Sequence, residues 1–382
     1  MNQMIMPPAV IGIIGGGQLG RMMALSAKEA GFRIAVLDPS ENGPCAQVAD
    51  YTIQTSYDDE KGLKELSELS DVITYEFENI DYESLKRLAE KAHVPQGAEL
   101  IKITQNRQFE KDTLTRADVP TASYKIIENE QGLYDMIGTF AFPMVLKTIT
   151  GGYDGKGQVK LNSEDDLSEA AKLIQNNGTC ILEAFVDFDC EISVIIHRNA
   201  RGETVTQPIA ENIHINQILH TSIVPARVSE DVKVNAARLA EQVADQLKLV
   251  GTLAVEMFVG KAGELYVNEL APRPHNSGHY SIEASSSSQF QQHIRSVLNW
   301  PLAPSELLKP AVMINVLGQH VEPVLTAIDA YPHWSLHLYG KDEAKTNRKM
   351  GHITILTDDI NKTLKEIEAS GVWTPAVKEA QR

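Results

Sequence analysis

Glu256 and Glu269 lie in two apolar, alternating stretches, Leu253–Val259 and Glu264–Leu270, joined by Gly260-Lys261-Ala262-Gly263. That pattern predicts an antiparallel hairpin with a two-residue turn. Pairing Gly260 with Gly263 sets Glu256 opposite Val267 and makes Glu269 its diagonal neighbour on the same face. Two carboxylates that close repel unless a cation lies between them. Mg²⁺ takes a few carboxylate oxygens and fills its shell with phosphate oxygens, so a metal-nucleotide site is the natural occupant. Asn268, Arg273, His275 and Asn276 crowd further polar groups around the end of the second stretch.

Other segments suit anion handling. Thr150-Gly151-Gly152-Tyr153-Asp154-Gly155-Lys156-Gly157 follows a strand ending at Lys147. It is no Walker A loop, because Gly157 stands where Ser or Thr should follow the lysine. Its four glycines suit either a plain hairpin or a flap whose amides wrap phosphates. Glu183-Ala184-Phe185-Val186 closes the apolar run Cys180–Leu182, and its backbone could edge a purine base. The nearby Glu191 could accept both ribose hydroxyls. Gly15-Gly16-Gly17-Gln18-Leu19-Gly20 satisfies G-x-G-x-x-G between a strand and a helix, with Asp38 at the end of the next strand. That is the dinucleotide fingerprint in its expected context. Its physical content is wider, since such a loop offers amides to any phosphate or carboxylate.

The elements that must position these residues fall into four segments. Strands at Val10–Ile14, Ile34–Leu37 and Val72–Tyr75 alternate with helical stretches at Gln18–Ala30 and Asp58–Leu69, which favours a doubly wound parallel sheet. This first unit is expected over 1–118. A second, 119–180, holds a strand at Met144–Lys147, the glycine-rich loop and a helix near Ser163–Gln175. A third, 181–303, has longer alternating strands at Ile192–His197, Leu253–Val259 and Glu264–Leu270, which read as an antiparallel sheet. Pro301, Pro304 and Pro310 lead into a final module, 304–382.

Composition narrows the partners. A net charge of −16 over 382 residues speaks against a nucleic-acid or anionic-membrane surface. It leaves room for an anionic small molecule held by a few local cations. Cys45, Cys180 and Cys190 form neither a disulfide framework nor a metal-thiolate spacing. No apolar stretch approaches the ~20 residues of a membrane helix, and the N-terminus lacks the basic start of a signal peptide. A cytoplasmic protein is expected.

Lys147, the run Gly152 to Gln158, Glu183–Val186, Glu256 and Asn268-Glu269 together resemble the ATP-grasp fold. More specifically, the chain resembles the 5-(carboxyamino)imidazole ribonucleotide synthase (PurK) family. Four segments carry this likeness: Gly15 to Met22, Tyr75-Glu76-Phe77-Glu78-Asn79, Ala271 to His279, and Arg348-Lys349-Met350-Gly351-His352. The resemblance implies an α/β and α+β chain of ATP-grasp architecture, with a Rossmann-like N-terminal domain and a small β-rich C-terminal module.

It also implies roles. Arg107, Lys147 and the flap Gly152-Tyr153-Asp154-Gly155-Lys156-Gly157-Gln158 would hold ATP phosphates. Glu183, Ala184, Phe185 and Val186 would edge the adenine, Glu191 the ribose, and His214 would lie near the phosphates. Glu256 and Glu269, with Asn268 beside them, would bind Mg²⁺. Gln18, Leu19, Glu76, Arg273, His275, Asn276, Lys341 and Arg348 would take 5-aminoimidazole ribonucleotide, the glycine loop facing this substrate rather than NAD. The implied chemistry activates bicarbonate with ATP as carboxyphosphate and carboxylates the substrate amine. Asp154, Arg273 and Tyr153 would serve the reacting groups, Arg273 as a bidentate clamp on bicarbonate. A homodimer is the implied assembly.

Biotin carboxylase and the formate-dependent glycinamide ribonucleotide transformylase share this architecture, but the His275–His279 and Arg348–His352 segments favour the purine carboxylase. A regulatory ATP-binding module would not need acidic ligands, a flap and Arg273 together. An NAD dehydrogenase would need a hydride-transfer constellation that does not accompany the glycine loop.

Overall fold

The computed structural model describes residues 3–152 and 157–373. Its first unit runs β1 (Val10–Ile14), α1 (Gln18–Glu29), β2 (Arg33–Asp38), β3 (Tyr51–Gln54), α2 (Glu60–Leu69), β4 (Val72–Tyr75) and α3 (Tyr82–Ala89). The strands pair in parallel in the order β3-β2-β1-β4. Every residue of β1 is buried, as expected of a parallel strand with helices on both faces. Asp59 and Asp81 accept the Gly62 and Ser84 amides and so start α2 and α3. Helices α4 (Glu99–Thr104) and α5 (Arg107–Arg116) follow, and Asn106 caps α5 by accepting from the Gln108 and Phe109 amides.

The next unit holds β5 (Tyr124–Ile127), α6 (Glu130–Asp135), β6 (Met144–Thr148), β7 (Gln158–Leu161), α7 (Leu167–Asn177) and β8 (Cys180–Ala184). They form an antiparallel sheet in the order β5-β8-β6-β7. The break expected between 180 and 181 falls inside β8. Its ladder to β5 and β6 keeps Glu183 and Ala184 in this sheet, so the division comes after Ala184.

The rest of the chain comprises β9 (Phe188–Arg198), β10 (Thr204–Thr206), β11 (Ala210–Ile215), β12 (Ile218–Val224), α8 (Glu230–Gln246), β13 (Gly251–Gly260), β14 (Leu265–Ala271), α9 (Ser281–Ala284), α10 (Gln289–Val297), β15 (Ala311–Leu317), α11 (Val321–Ala327), β16 (Ser335–Leu338), β17 (Lys349–Leu356) and α12 (Ile360–Ala369). Its strands build one antiparallel sheet, β14-β13-β9-β11-β12-β15-β17-β16, with β10 on β9. The C-terminal module is thus β-rich, as expected, but its strands extend the central sheet because β15 pairs with β12. Helix α8 buries Ala236, Leu239, Ala240 and Val243 against β9 and β13. Helix α10 instead closes the first unit, where Phe290, Ile294 and Val297 pack with Met23 and Ala27 of α1.

All three cysteines are free, two buried and Cys190 half-buried. Among the described residues no helix is long and apolar enough to cross a membrane.

Candidate active site

The floor of the site is the β13–β14 hairpin, and two irregularities set its register. The turn has three residues, not two. The Gly260 amide donates to the Glu264 carbonyl at 2.8 Å, and Gly263 adopts a left-handed φ of 87°, as a type I turn with a glycine bulge requires. A second shift, at Asn268, pairs Glu256 directly with Glu269 rather than Val267 with Glu256. The two carboxylates are therefore direct cross-strand partners, closer than the diagonal arrangement expected from sequence.

Their electrostatics follow. Burial opposes the charge on Glu256, but His275, whose Nε2 lies 3.0 Å away, together with His214 and Arg273, holds its pKa down at about 2. Glu269 is reachable from the cleft yet ringed by protein. Desolvation first, then the facing Glu256, raises its pKa. Glu191 and His214, 3.2 Å apart, stand beside Glu256.

Facing this floor, the lid sheet supplies Lys147 at the root of the glycine-rich loop, where it pairs with Gln158. The loop is closed by the Thr148 amide donating to the Gly157 carbonyl, and Gly151 and Gly152 take positive φ. Tyr153, Asp154, Gly155 and Lys156 lie outside the described residues. Glu183 sits one step diagonally from Lys147 on the same face and binds its Nζ at 2.6 Å. It also binds Lys111 of α5 at 3.0 Å. Desolvation works against this carboxylate, but the two lysines hold its pKa at about 2. The Glu183 side chain is thus committed to cations, which leaves its backbone, with Ala184 to Val186, for a base edge. Phe185 lies exposed under the Lys160 ammonium. Arg107 opens α5 beside the loop, where its amide donates to the Ile149 carbonyl. Its Nε is buried and has no protein partner.

The glycine loop departs from expectation. Gly16 donates its amide to Asp38 at 2.6 Å and Gly17 to Glu76 at 2.7 Å, while Gly20 donates to the other Glu76 oxygen. Two internal carboxylates thus fill the cradle that a pyrophosphate would occupy in a dinucleotide enzyme. A Cβ on Gly17 would come within 2.4 Å of Glu76, so the glycine serves a close internal approach. Burial raises Glu76 to about 7 despite the Gly20 and Gly17 amides. The Leu19 side chain is buried in the α1 core, so only its backbone is free to meet a ligand.

Arg273 binds Glu78 through two parallel contacts, Nε at 2.6 Å and Nη2 at 3.1 Å. One edge of its guanidinium is therefore taken, and Nη1 also donates to the Pro274 carbonyl at 3.3 Å. The fork left for a planar anion is the one remaining N–H on each of Nη1 and Nη2. Asn276 is turned inward, its amide exchanging hydrogen bonds with Asn315 at 3.0 and 2.7 Å. His275 is fixed by the Ser277 hydroxyl at 2.8 Å. The C-terminal module meets the first unit here: Gln47 donates to the Gly340 carbonyl and Asn42 to Asp342. Lys341, half-buried, donates to the Lys349 carbonyl at 2.8 Å, and Arg348 is exposed.

Sequence reasoning assigned no role to Lys111, Glu110 or Glu78. Arg107, Glu110 and Lys111 stand at i, i+3 and i+4 of α5, one helical face, and the Asn106 cap was the local sign that this face began there. Burial raises the Glu110 carboxyl to about 8, with Glu269 adding to the effect.

Family models match in chain order: a ribonucleotide synthetase preATP-grasp domain over residues 8–105, an ATP-grasp domain over 112–290, and a phosphoribosylaminoimidazole carboxylase C-terminal domain over 311–366. The N5-carboxyaminoimidazole ribonucleotide synthase of Bacillus subtilis is 51% identical over 366 residues, covering 96% of each chain. The crystal structure of a purK N5-carboxyaminoimidazole ribonucleotide synthetase with ADP superposes with a TM-score of 0.95 at 55% identity, covering 98% of this chain and 99% of that one. The Aspergillus clavatus synthase with ADP and 5-aminoimidazole ribonucleotide gives 0.87 at 29% identity, with 95% and 97% covered. With relatives this similar over nearly the whole chain, the chain belongs to the N5-carboxyaminoimidazole ribonucleotide synthase family of ATP-grasp carbon–nitrogen ligases.

Proposed function

We propose that ATP lies between the lid sheet and the β13–β14 hairpin, and that the second substrate lies between the glycine loop and the C-terminal module. The reaction is the family's, ATP-dependent carboxylation of 5-aminoimidazole ribonucleotide to its N5-carboxylated product in purine biosynthesis. Bicarbonate is the carbon source in this proposal. A bicarbonate oxygen attacks the γ-phosphorus of ATP, ADP leaves, and the resulting carboxyphosphate delivers CO₂ and phosphate. The substrate amine then bonds the CO₂ carbon and loses a proton.

One observation carries the nucleotide half: Glu256 and Glu269 face each other directly, a pair of carboxylates whose mutual repulsion a shared cation would relieve. Glu256 also adjoins Glu191 and His214, but Mg²⁺ prefers oxygen donors. The facing carboxylates fit it, and they would hold it with Asn268 beside them. When bound, it would neutralise charge on the transferring phosphoryl group. Arg107, with its orphaned Nε, Lys147 and the flap residues to Gln158 take the phosphates, and His214 lies near them. Glu191 takes the ribose, and the 183–186 backbone the adenine. Arg273 holds bicarbonate through its free edge, with Tyr153 and Asp154 serving the reacting groups. Water kept from carboxyphosphate preserves it for the amine.

For the second substrate, the proposal uses the amides of Gln18 and Leu19, which open α1 where Gly20 is already committed to Glu76. His275 and Asn276 border this space, and Lys341 and Arg348 hold the phosphate. A cytoplasmic homodimer, closed pairing being usual for soluble enzymes, completes the proposal; light scattering reads its mass. The reading as a whole is tested by ADP release with each substrate omitted in turn. Release should require Mg²⁺ and rise strongly only when 5-aminoimidazole ribonucleotide and bicarbonate are both present. Equal stimulation by biotin or glycinamide ribonucleotide would overturn it.

Lys341 gives a pH test. Burial, then the neighbouring Arg348, lowers its pKa to about 8. Its ammonium is charged at neutral pH and is lost as pH rises through that value. The KM for the ribonucleotide should climb by up to about tenfold per pH unit above 8, while the KM for ATP stays level. Lys341→Arg, whose charge persists, should flatten the climb. A wild-type KM that does not move with pH would remove Lys341 from the phosphate site.

A further inference from the structure

Lys111 is the only Lys or Arg among the described residues that is fully buried. Its Nζ reaches Glu183 at 3.0 Å and the carbonyl of Asn268, the neighbour of Glu269, at 3.4 Å. The second Glu183 oxygen holds Lys147 at 2.6 Å. One carboxylate therefore faces two ammoniums, one more than its neutralisation requires, in a place where stranded charge is costly.

The surplus has a use once nucleotide arrives. Lys147 is oriented toward Glu183, yet the phosphate role proposed for it requires that ammonium to turn or share toward the triphosphate. Were Lys147 the sole partner, its withdrawal would leave Glu183, 5% exposed, as an uncompensated buried anion. Lys111 is rooted in α5 and bound at its far side to the β14 bulge, so it stays.

We infer that Lys111 is a positioning residue for phosphoryl transfer, the resident counter-ion of Glu183 that frees Lys147 for the ATP phosphates. This rests on the reading of Lys147 as a phosphate ligand. It needs no movement of the hairpin or the lid, only an exchange of one ammonium between two anions.

Steady-state kinetics and calorimetry with Mg-ADP test it. Lys111→Met keeps a balanced Glu183–Lys147 pair, so the protein should fold. Its KM for ATP should rise by about tenfold to a hundredfold, with the ribonucleotide KM unmoved. Lys111→Gln keeps a donor toward Asn268 without the charge and should show the same rise, whereas Lys111→Arg should retain most of the affinity. Lys111→Met/Glu183→Gln should bind ATP better than Lys111→Met, because nothing then detains Lys147. A merely structural role predicts the reverse, and a double variant worse than the single one overturns the inference. So does a normal ATP KM in Lys111→Met and Lys111→Gln when Lys147→Met has a raised one. A normal ATP KM in Lys147→Met overturns the reading of Lys147, and the inference with it.

Discussion

Glu269→Gln is expected to fold normally and to lower kcat/KM for ATP-dependent turnover by about 10²–10³-fold, the usual loss when one preorganised electrostatic contact to a transferring group is removed. The substitution is isosteric and leaves Glu256 paired with His275 at 3.0 Å, so no buried charge is stranded. Its effect on stability has the opposite sign. In the metal-free protein, desolvation and the facing Glu256 raise the Glu269 pKa. Folded protein then keeps a proton at a pH where the unfolded chain has lost it, and stability falls as pH rises from the ordinary carboxylate range to the raised value. Glu76, raised to about 7, and Glu110, raised to about 8, add slopes of the same sign. Buried His197, His220, His279, His293 and His352, whose pKa values burial holds down, oppose these slopes up to about pH 6.5. Thermal melts without metal should therefore show a net decline between about pH 6.5 and 8, and the Glu269 contribution is read as the difference between wild type and variant. Glu269→Gln should decline less, and Mg²⁺ should stabilise the wild type more than the variant. Near-normal turnover in Glu269→Gln, or equal stabilisation of both by Mg²⁺, would show that the facing carboxylates do not share a cation.

Arg273→Ala should damage the enzyme twice, and a second substitution should separate the two injuries. It removes the partner of Glu78, which is bound through two contacts at 2.6 and 3.1 Å. Breaking a buried pair from one side costs about 3–5 kcal/mol; here about 2–4 is expected, because the side chains keep 18% and 27% of their exposure. Arg273→Ala/Glu78→Gln should recover most of that stability in denaturant unfolding, since no lone carboxylate remains. Turnover should stay at least about a hundredfold down in both variants, because the free guanidinium edge proposed to hold bicarbonate is gone. Recovery of activity together with stability in the double variant would reduce Arg273 to a structural partner of Glu78.

Local pattern made much of this architecture legible. The apolar run Val10–Ile14 followed by glycines reads as a parallel strand entering a helix, and β1 and α1 are there. The Leu253–Val259 and Glu264–Leu270 alternation reads as a hairpin carrying two acids on one face, and β13 and β14 carry them. The dinucleotide fingerprint was the misleading signal. Its spacing describes what a backbone can approach, and the fold lets Glu76 and Asp38 approach it from within the same chain.

What the sequence determined by itself is whatever depends on residues near one another along the chain: strand and helix periods, caps at Asp59, Asp81 and Asn106, the glycine-rich turns, and the chemical types available to the site. What only the tertiary structure decided is which distant groups meet. The bulge at Asn268 brings Glu256 across from Glu269, Glu78 claims one edge of Arg273, and Lys111 joins Lys147 on Glu183. A one-residue shift in a ladder, or an ion pair between separate elements, changes no local propensity. Its free energy appears only when strands pair and charges lose water together, so no stretch of sequence carries its mark.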